Sequence, residues 1–143
     1  MSNVNGRAYV LPPRVRTPDV QRGPIVVVVD DVESARIVCE RRLRQAGYRV
    51  IPVANAGAAL EALLQVPDVA AVVADWKLAP WGDGLALLEQ IGRRRKGVAR
   101  ILWPADPAGC DAAREAGVRC VEKTGHYTEL LAVLAEELGT ARA

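Results

Sequence analysis

The chain has 143 residues, of which 50% are hydrophobic and 25% are charged, and its formal net charge is only +2. A chain of this length can bury the core of one globular domain but hardly of two. No apolar run approaches the roughly 20 residues that a membrane-spanning helix needs, and the N-terminus lacks the apolar core of a signal peptide. We therefore expect a cytoplasmic protein, and its balanced charge gives no reason to expect a nucleic-acid partner.

Residues 1–23 differ in composition from the rest of the chain. They contain four arginines, three prolines and one aspartate, and they show little apolar periodicity. This composition is typical of a disordered basic arm, which is most simply a solvated tail but could also contact an acidic partner or nucleic acid. We expect the folded domain to occupy residues 24–139 and residues 140–143 to form a frayed tail.

Five short apolar runs alternate with five segments whose apolar residues recur at helical spacing. The runs are continuous and rich in β-branched residues, which is typical of strands buried on both faces. Pro80 and Gly82 predict a loop over residues 76–82. The predicted strands are 25–29, 48–53, 69–75, 98–103 and 118–122, and the predicted helices are 32–46, 56–65, 84–94, 107–116 and 126–138.

Strands that alternate with helices predict a parallel sheet covered by helices on both faces, because the crossovers between parallel strands are right-handed. The predicted fold class is therefore α/β, a (βα)5 doubly wound sheet of five parallel strands. A single wound unit of this length favours the flavodoxin-like order 2-1-3-4-5, whose cleft lies at the ends of the first and third strands.

The three cysteines, Cys39, Cys110 and Cys120, show none of the close paired spacings that mark metal sites or redox motifs. Because the count is also odd, we expect free thiols in a reducing compartment, and neither a disulfide nor a cysteine metal site. Cys120 is interpreted as a small core residue rather than a redox sensor.

Carboxylates follow the first and third predicted strands, which end at Asp30-Asp31 and at Asp75. The three side chains should converge at one edge of the sheet, where ionised carboxylates repel one another unless one is protonated or a cation is present. A hard divalent ion such as Mg²⁺ prefers such oxygen ligands. Lys123, after the fifth strand, would add a positive charge suited to a phosphoryl oxygen. This set of groups suits the formation of an acyl phosphate.

The pattern Val-Val-Val-Val-Asp30-Asp31, followed by Asp75 and Lys123 at later strand ends, resembles the receiver domain of response regulators in bacterial two-component signalling. The resemblance covers nearly everything after the arm. It implies that Asp75 is the phosphoacceptor and that Lys123 contacts the phosphoryl group. It further implies that Asp31, Asp75 and the main-chain carbonyl of Lys77 bind Mg²⁺, with Asp30 in support.

Three positions depart from the family's pattern. Pro104 stands where the family has a serine or threonine after the fourth strand, Cys120 stands at the aromatic position of the fifth strand, and Thr124 replaces the proline after the lysine. No serine or threonine occurs from residue 35 to residue 123, so another residue cannot supply the hydroxyl. The resemblance thus implies an acceptor with a weakened or non-standard switch.

The resemblance also implies partners. Upstream we expect a sensor histidine kinase or a phosphotransfer protein, and downstream a protein partner, with no DNA-binding output domain and with homodimerisation left open. We expect no enzymatic activity beyond self-phosphorylation from a phosphodonor and slow self-dephosphorylation. The alternative is a degenerate receiver that docks to proteins independently of phosphorylation.

Two other classes share parts of the pattern. A haloacid-dehalogenase-type phosphatase would need a second aspartate two residues after Asp75, where the chain has Lys77. A flavodoxin would need a serine- and threonine-rich phosphate loop, and Asp30-Asp31 would repel the flavin phosphate. Trp76 and Trp81 flank the predicted site, and the sequence leaves open whether they contact a partner or cover the core.

Overall fold

The computed structural model describes residues 23–78 and 82–140, and its main feature is one sheet of five parallel strands. The strands are β1 (Ile25–Val29), β2 (Arg49–Val53), β3 (Val69–Ala74), β4 (Ala99–Leu102) and β5 (Arg119–Cys120). Their order in the sheet is β2-β1-β3-β4-β5. The predicted α/β class and strand order are therefore confirmed.

A helix follows each strand. The helices are α1 (Glu33–Gln45), α2 (Ala56–Gln65), α3 (Gly84–Arg94), α4 (Ala108–Ala116) and α5 (Thr128–Leu138). Asn55 caps α2 by accepting the amide of Ala58 at 2.8 Å, and Asp83 caps α3 by accepting the amide of Leu85 at 2.8 Å. Gly117 ends α4 with a φ of 72°, which other residues rarely adopt. No helix in the described residues is long and apolar enough to cross a membrane.

Both faces of the sheet are covered, and alternate residues of each strand point to opposite faces. In β1, Val27 and Val29 face α2, α3 and α4, whereas Val26 and Val28 face α1 and α5. None of the four valines is more than 1% exposed. Burial of such a side chain contributes about 1.5–3 kcal/mol, so a strand enclosed on both sides carries a continuous apolar run.

Two further strands of two residues each, Lys77–Leu78 and Gly82–Asp83, pair antiparallel between β3 and α3. The prediction of a loop over residues 76–82 is wrong at this pair, because two-residue strands are too short to show a periodic pattern. Gly84 begins α3 where a Cβ atom would collide with the carbonyl oxygen of Asp75. The absence of a side chain there lets α3 start directly against the end of β3.

Two cysteines that the sequence predicts to be free thiols are joined by a disulfide. Cys110 lies in the first turn of α4 and Cys120 ends β5, with their Cα atoms 5.4 Å apart. Because α4 runs back alongside β5, residues ten positions apart meet, and no local spacing in the sequence signals this. Cys39, on the buried side of α1, is a free thiol, as predicted.

Some predictions concern residues outside the described part of the chain. They are the arm over residues 1–22, the end of the tail at residues 141–143, and Trp81. Thr140 is described, and its hydroxyl lies 3.0 Å from the hydroxyl of Tyr48.

Candidate functional site

Three aspartates lie together at the carboxyl edge of the sheet, where Asp30 and Asp31 follow β1 and Asp75 follows β3. The amide of Asp30 donates to the carbonyl of Val53 at 3.1 Å, and that of Asp75 donates to the carbonyl of Val29 at 3.0 Å. The hydrogen bonding of the sheet therefore extends into the site. One carboxylate oxygen from each aspartate lies within 4.8 Å of the others. The structure thus brings together the three carboxylates that the sequence singles out.

Backbone amides orient two of these carboxylates. Asp30 Oδ1 accepts the amide of Val32 at 2.9 Å, and Asp75 Oδ1 accepts the amide of Trp76 at 2.8 Å. Asp30 is only 1% exposed. The backbone thus occupies one oxygen of each group, and the Oδ2 atoms of Asp30 and Asp75 both face the ammonium of Lys123.

The ammonium of Lys123 lies between the carboxylates of Asp30 and Asp75. Its Nζ is 3.1 Å from Asp30 Oδ2 and 3.5 Å from Asp75 Oδ2. The amide of Lys123 donates to the carbonyl of Pro104 at 2.7 Å, which ties the segment after β5 to the end of β4. One ammonium thus offsets part of the charge of three carboxylates.

The surroundings of Asp75 favour its protonated form. Burial raises the pKa of Asp75 above its ordinary value of 3.8, and the neighbouring Asp30 raises it further. The Lys123 ammonium and the hydrogen bond from the Trp76 amide lower the pKa and oppose this effect without cancelling it. The ionised form of Asp75 is therefore less stable than that of an exposed carboxylate, and a cation bound nearby would stabilise it.

The donor set fits a hard divalent cation. The cluster offers carboxylate oxygens alone, each close enough to the others to share one ion. Oxygen-only sites of this kind suit Mg²⁺ or Ca²⁺ rather than zinc or copper. The residues present are therefore compatible with the Mg²⁺ that the sequence suggests.

Lys77 lies two residues beyond Asp75, in the short strand that pairs with Gly82–Asp83. Its side chain is turned to the aromatic ring of Trp76, with Nζ 5.5 Å from the ring centroid. Trp76 is half-buried and packs against the core beneath α2, α3 and α4. Trp76 therefore covers core, and the ligand role of the Lys77 carbonyl stays a prediction.

The three departing positions occupy different surroundings. Pro104 is buried and packs so closely on Gly109 that a Cβ atom there would lie 2.7 Å from the proline ring. Thr124 is exposed. Cys120 is bonded to Cys110 and is more than the small core residue that the sequence suggests.

Trp103 contacts the site, although sequence reasoning gave it no role beyond ending β4. It is 3% exposed, its ring centroid lies 4.8 Å from the Lys123 ammonium, and its ring packs on Tyr127 at 5.3 Å. Its indole nitrogen has no hydrogen-bond partner among the described residues. The sequence indicates this contact only through the position of Trp103, which directly follows β4, the strand between β3 and β5.

The family model described as the response regulator receiver domain matches residues 26–135. This match covers well over half of the chain, and the chain therefore belongs to the receiver family of two-component systems. The resemblance drawn from the strand-end residues is confirmed.

Individual proteins are similar to parts or all of the domain. The DNA-binding transcriptional regulator NtrC of Escherichia coli strain K12 is 44% identical over 87 residues, which are 60% of this chain and 18% of NtrC. The signal receiver domain of an HD domain-containing protein from Pseudomonas fluorescens Pf-5 has a TM-score of 0.72 and 29% identity, covering 82% of this chain and 96% of that chain. The response regulator TrrA from Thermotoga maritima, solved in complex with Mg²⁺-BeF, has a TM-score of 0.74 and 22% identity, covering 80% of this chain and 99% of that chain.

Proposed function

We propose that Asp75 accepts a phosphoryl group from a sensor histidine kinase or phosphotransfer protein, and that the modified domain signals by contact with another protein. The observation that carries this proposal is the setting of Asp75. Its carboxylate shares a cluster with Asp30 and Asp31, and the Lys123 ammonium lies 3.5 Å from its Oδ2. The same side chain is 16% exposed, which leaves it open to a donor.

The reaction needs little covalent chemistry from the protein. A carboxylate oxygen of Asp75 attacks the phosphorus atom of the donor, and a new oxygen–phosphorus bond forms as the bond to the leaving group breaks. The leaving group, an imidazole nitrogen or a small carboxylate such as acetate, keeps the electron pair. The Lys123 ammonium faces the negative charge on the phosphoryl oxygens, and the backbone bonds of Asp75 hold the nucleophile in place.

The proposed metal site uses Asp31, Asp75 and the main-chain carbonyl of Lys77, with Asp30 in support. When bound, Mg²⁺ supplies positive charge to the phosphoryl oxygens and offsets the repulsion between the carboxylates. The oxygen-only donor set supports this assignment, and the ligand role of the Lys77 carbonyl rests on the family resemblance alone.

We propose that phosphorylation of Asp75 drives only a weak conformational change in the domain. Pro104 offers no hydroxyl to a phosphoryl oxygen, and Cys120 is held in a disulfide instead of being an aromatic free to rotate. A hydrogen bond to a charged group contributes roughly 1.5–3 kcal/mol, whereas a switch from 1:99 to 99:1 needs about 5.5 kcal/mol. Loss of the hydroxyl would therefore remove up to about half of the driving force.

The same observation at Pro104 favours a second candidate function. A receiver that lacks its hydroxyl could serve as a docking module whose contacts do not depend on phosphorylation. Intact-mass measurement after treatment with acetyl phosphate and Mg²⁺ separates the two candidates. Addition of one phosphoryl group to the wild type but not to Asp75→Asn supports the receiver. An unmodified wild type would leave the docking module.

A further inference from the structure

The disulfide between Cys110 and Cys120 has no part in the proposed phosphoryl chemistry, yet it joins two elements beside the site. It links the first turn of α4 to the end of β5. Both cysteines are half-buried, whereas Cys39 is fully buried and burial raises the pKa of its thiol to about 12. Cys39 is thus shielded from exchange chemistry, and the pair is accessible to it.

A continuous set of contacts leads from the disulfide to the acidic cluster. Cys120 pairs with Leu102 of β4 and precedes Lys123 by three residues. The amide of Lys123 donates to the carbonyl of Pro104, and the ring of Pro104 packs on Gly109, next to Cys110. The disulfide therefore completes a closed series of contacts that includes Lys123, whose ammonium faces Asp75.

The disulfide also lies at the surface. A cleft of about 370 Å³ is lined by both cysteines together with Arg114, Val118, Arg119, Glu122 and Glu129. A small thiol or disulfide can approach the two cysteines from this side. Disulfides that solvent can reach are the ones that exchange readily and serve regulatory roles.

We propose that Cys110 and Cys120 form a reversible dithiol–disulfide pair that controls how firmly α4 and the Lys123 segment are held together. The proposal concerns regulation of the site described above and rests on the proposed function for its biological meaning. In the oxidised form the covalent link holds α4 against β5. In the reduced form this contact depends on packing such as that of the buried Ala113 and Val118.

The oxidant is a low-molecular-weight disulfide. One protein thiolate attacks a sulfur atom of the oxidant, which forms a mixed disulfide and releases one small thiol. The second protein thiolate attacks the mixed disulfide at the protein sulfur and releases the other small thiol. Two protein thiols lose two protons and two electrons, and the oxidant gains them as two thiols.

The first test is thiol alkylation followed by intact mass under denaturing conditions. After oxidised glutathione, the wild type should accept one alkyl group, on Cys39, and after dithiothreitol it should accept three. Cys110→Ser should accept two after dithiothreitol and form no internal disulfide after oxidised glutathione. Three alkylated cysteines in oxidised wild type, or a disulfide between two chains on a non-reducing gel, would overturn the proposal.

The second test is amide hydrogen exchange at Lys123, measured by NMR in the oxidised and reduced full chain without a phosphodonor. Oxidation should slow exchange of this amide at least threefold in the wild type and leave it unchanged in Cys110→Ser. Equal exchange in both wild-type forms would overturn the coupling between the pair and the site. Because no phosphodonor is used, this result stands whether or not Asp75 accepts phosphate, so the two proposals fail independently.

Discussion

The ammonium of Lys123 lies 3.1 Å from Oδ2 of Asp30, a carboxylate that is almost fully buried. The two residues are far apart in the chain and meet because β1 and β5 end at the same edge of the sheet. A buried carboxylate without such a partner would be strongly destabilised, because it has lost its hydration. The pair therefore holds Lys123 in place before any phosphoryl group arrives.

Lys123→Ala is expected to slow modification of Asp75 by acetyl phosphate about tenfold to a hundredfold, because the charge facing the phosphoryl oxygens is lost. It should also lower the free energy of unfolding by about 1–3 kcal/mol, since Asp30 stays buried without its ammonium. Intact-mass time courses and urea denaturation measure the two effects. Lys96→Ala, at an exposed lysine, is the matched control. Wild-type modification rates in Lys123→Ala would contradict the role of this lysine.

Asp75→Asn is expected to stabilise the protein at neutral pH. Burial raises the pKa of Asp75 above 3.8, so the folded protein binds this proton more tightly than the unfolded chain does. The contribution of Asp75 to the stability of the wild type therefore falls as pH rises from 3.8 through the raised pKa, and it stays lower above that interval. The variant lacks this titration.

Urea denaturation at several pH values between about 3 and 7 checks this expectation. The stability advantage of Asp75→Asn should grow as the pH rises through the raised pKa of Asp75 and then level off towards neutral pH. Asp68→Asn makes the same chemical change at an exposed position and should show no such trend. An advantage for Asp75→Asn that shrinks with rising pH would contradict the assigned direction of the pKa shift.

Trp103 is expected to position Lys123 through its ring, whose centroid lies 4.8 Å from the ammonium. Trp103→Phe keeps an aromatic face and removes an indole nitrogen that has no partner among the described residues. Trp103→Leu removes the aromatic face, and a cation–π contact contributes about 1–2 kcal/mol when partly desolvated. The rate of Asp75 modification should therefore fall severalfold more in Trp103→Leu than in Trp103→Phe. Equal rates in the two variants would show that the ring only fills space.

Pro104→Thr is expected to strengthen the response to phosphorylation, because it restores a hydroxyl at the end of β4. The gain should be roughly 1.5–3 kcal/mol, the contribution of a hydrogen bond to a charged group. The change in amide exchange of α4 and β5 on adding acetyl phosphate and Mg²⁺ measures it. Pro104→Ala removes the same ring without adding a hydroxyl and is the control. A response to phosphorylation that is no larger in Pro104→Thr than in Pro104→Ala would refute the weakened switch.

The sequence predicts the fold well because each strand of the sheet is enclosed on both faces. The four β-branched valines of β1 favour a strand buried on both sides, and the carboxylates that follow β1 and β3 meet once the strand order is assumed. These conclusions depend on periodicity and on strand ends, which are local properties of a sequence.

The sequence does not reveal contacts that depend on tertiary packing. Cys110 and Cys120 are separated by ten positions and carry no motif, yet the return of α4 along β5 joins them. Trp103 gains its place beside Lys123 only when β4 and β5 pair. The short antiparallel pair after β3 has two residues a side, too few for a pattern.

Phosphorylation of Asp75 is tested most directly by intact-mass measurement of the wild type, Asp75→Asn and Asp68→Asn after acetyl phosphate, each with Mg²⁺ and with excess chelator. One added phosphoryl group is expected in the wild type and in Asp68→Asn with Mg²⁺, none in Asp75→Asn, and little in any sample with chelator. An unmodified wild type, or equal modification of Asp75→Asn, would contradict the assignment of Asp75 as the phosphoacceptor.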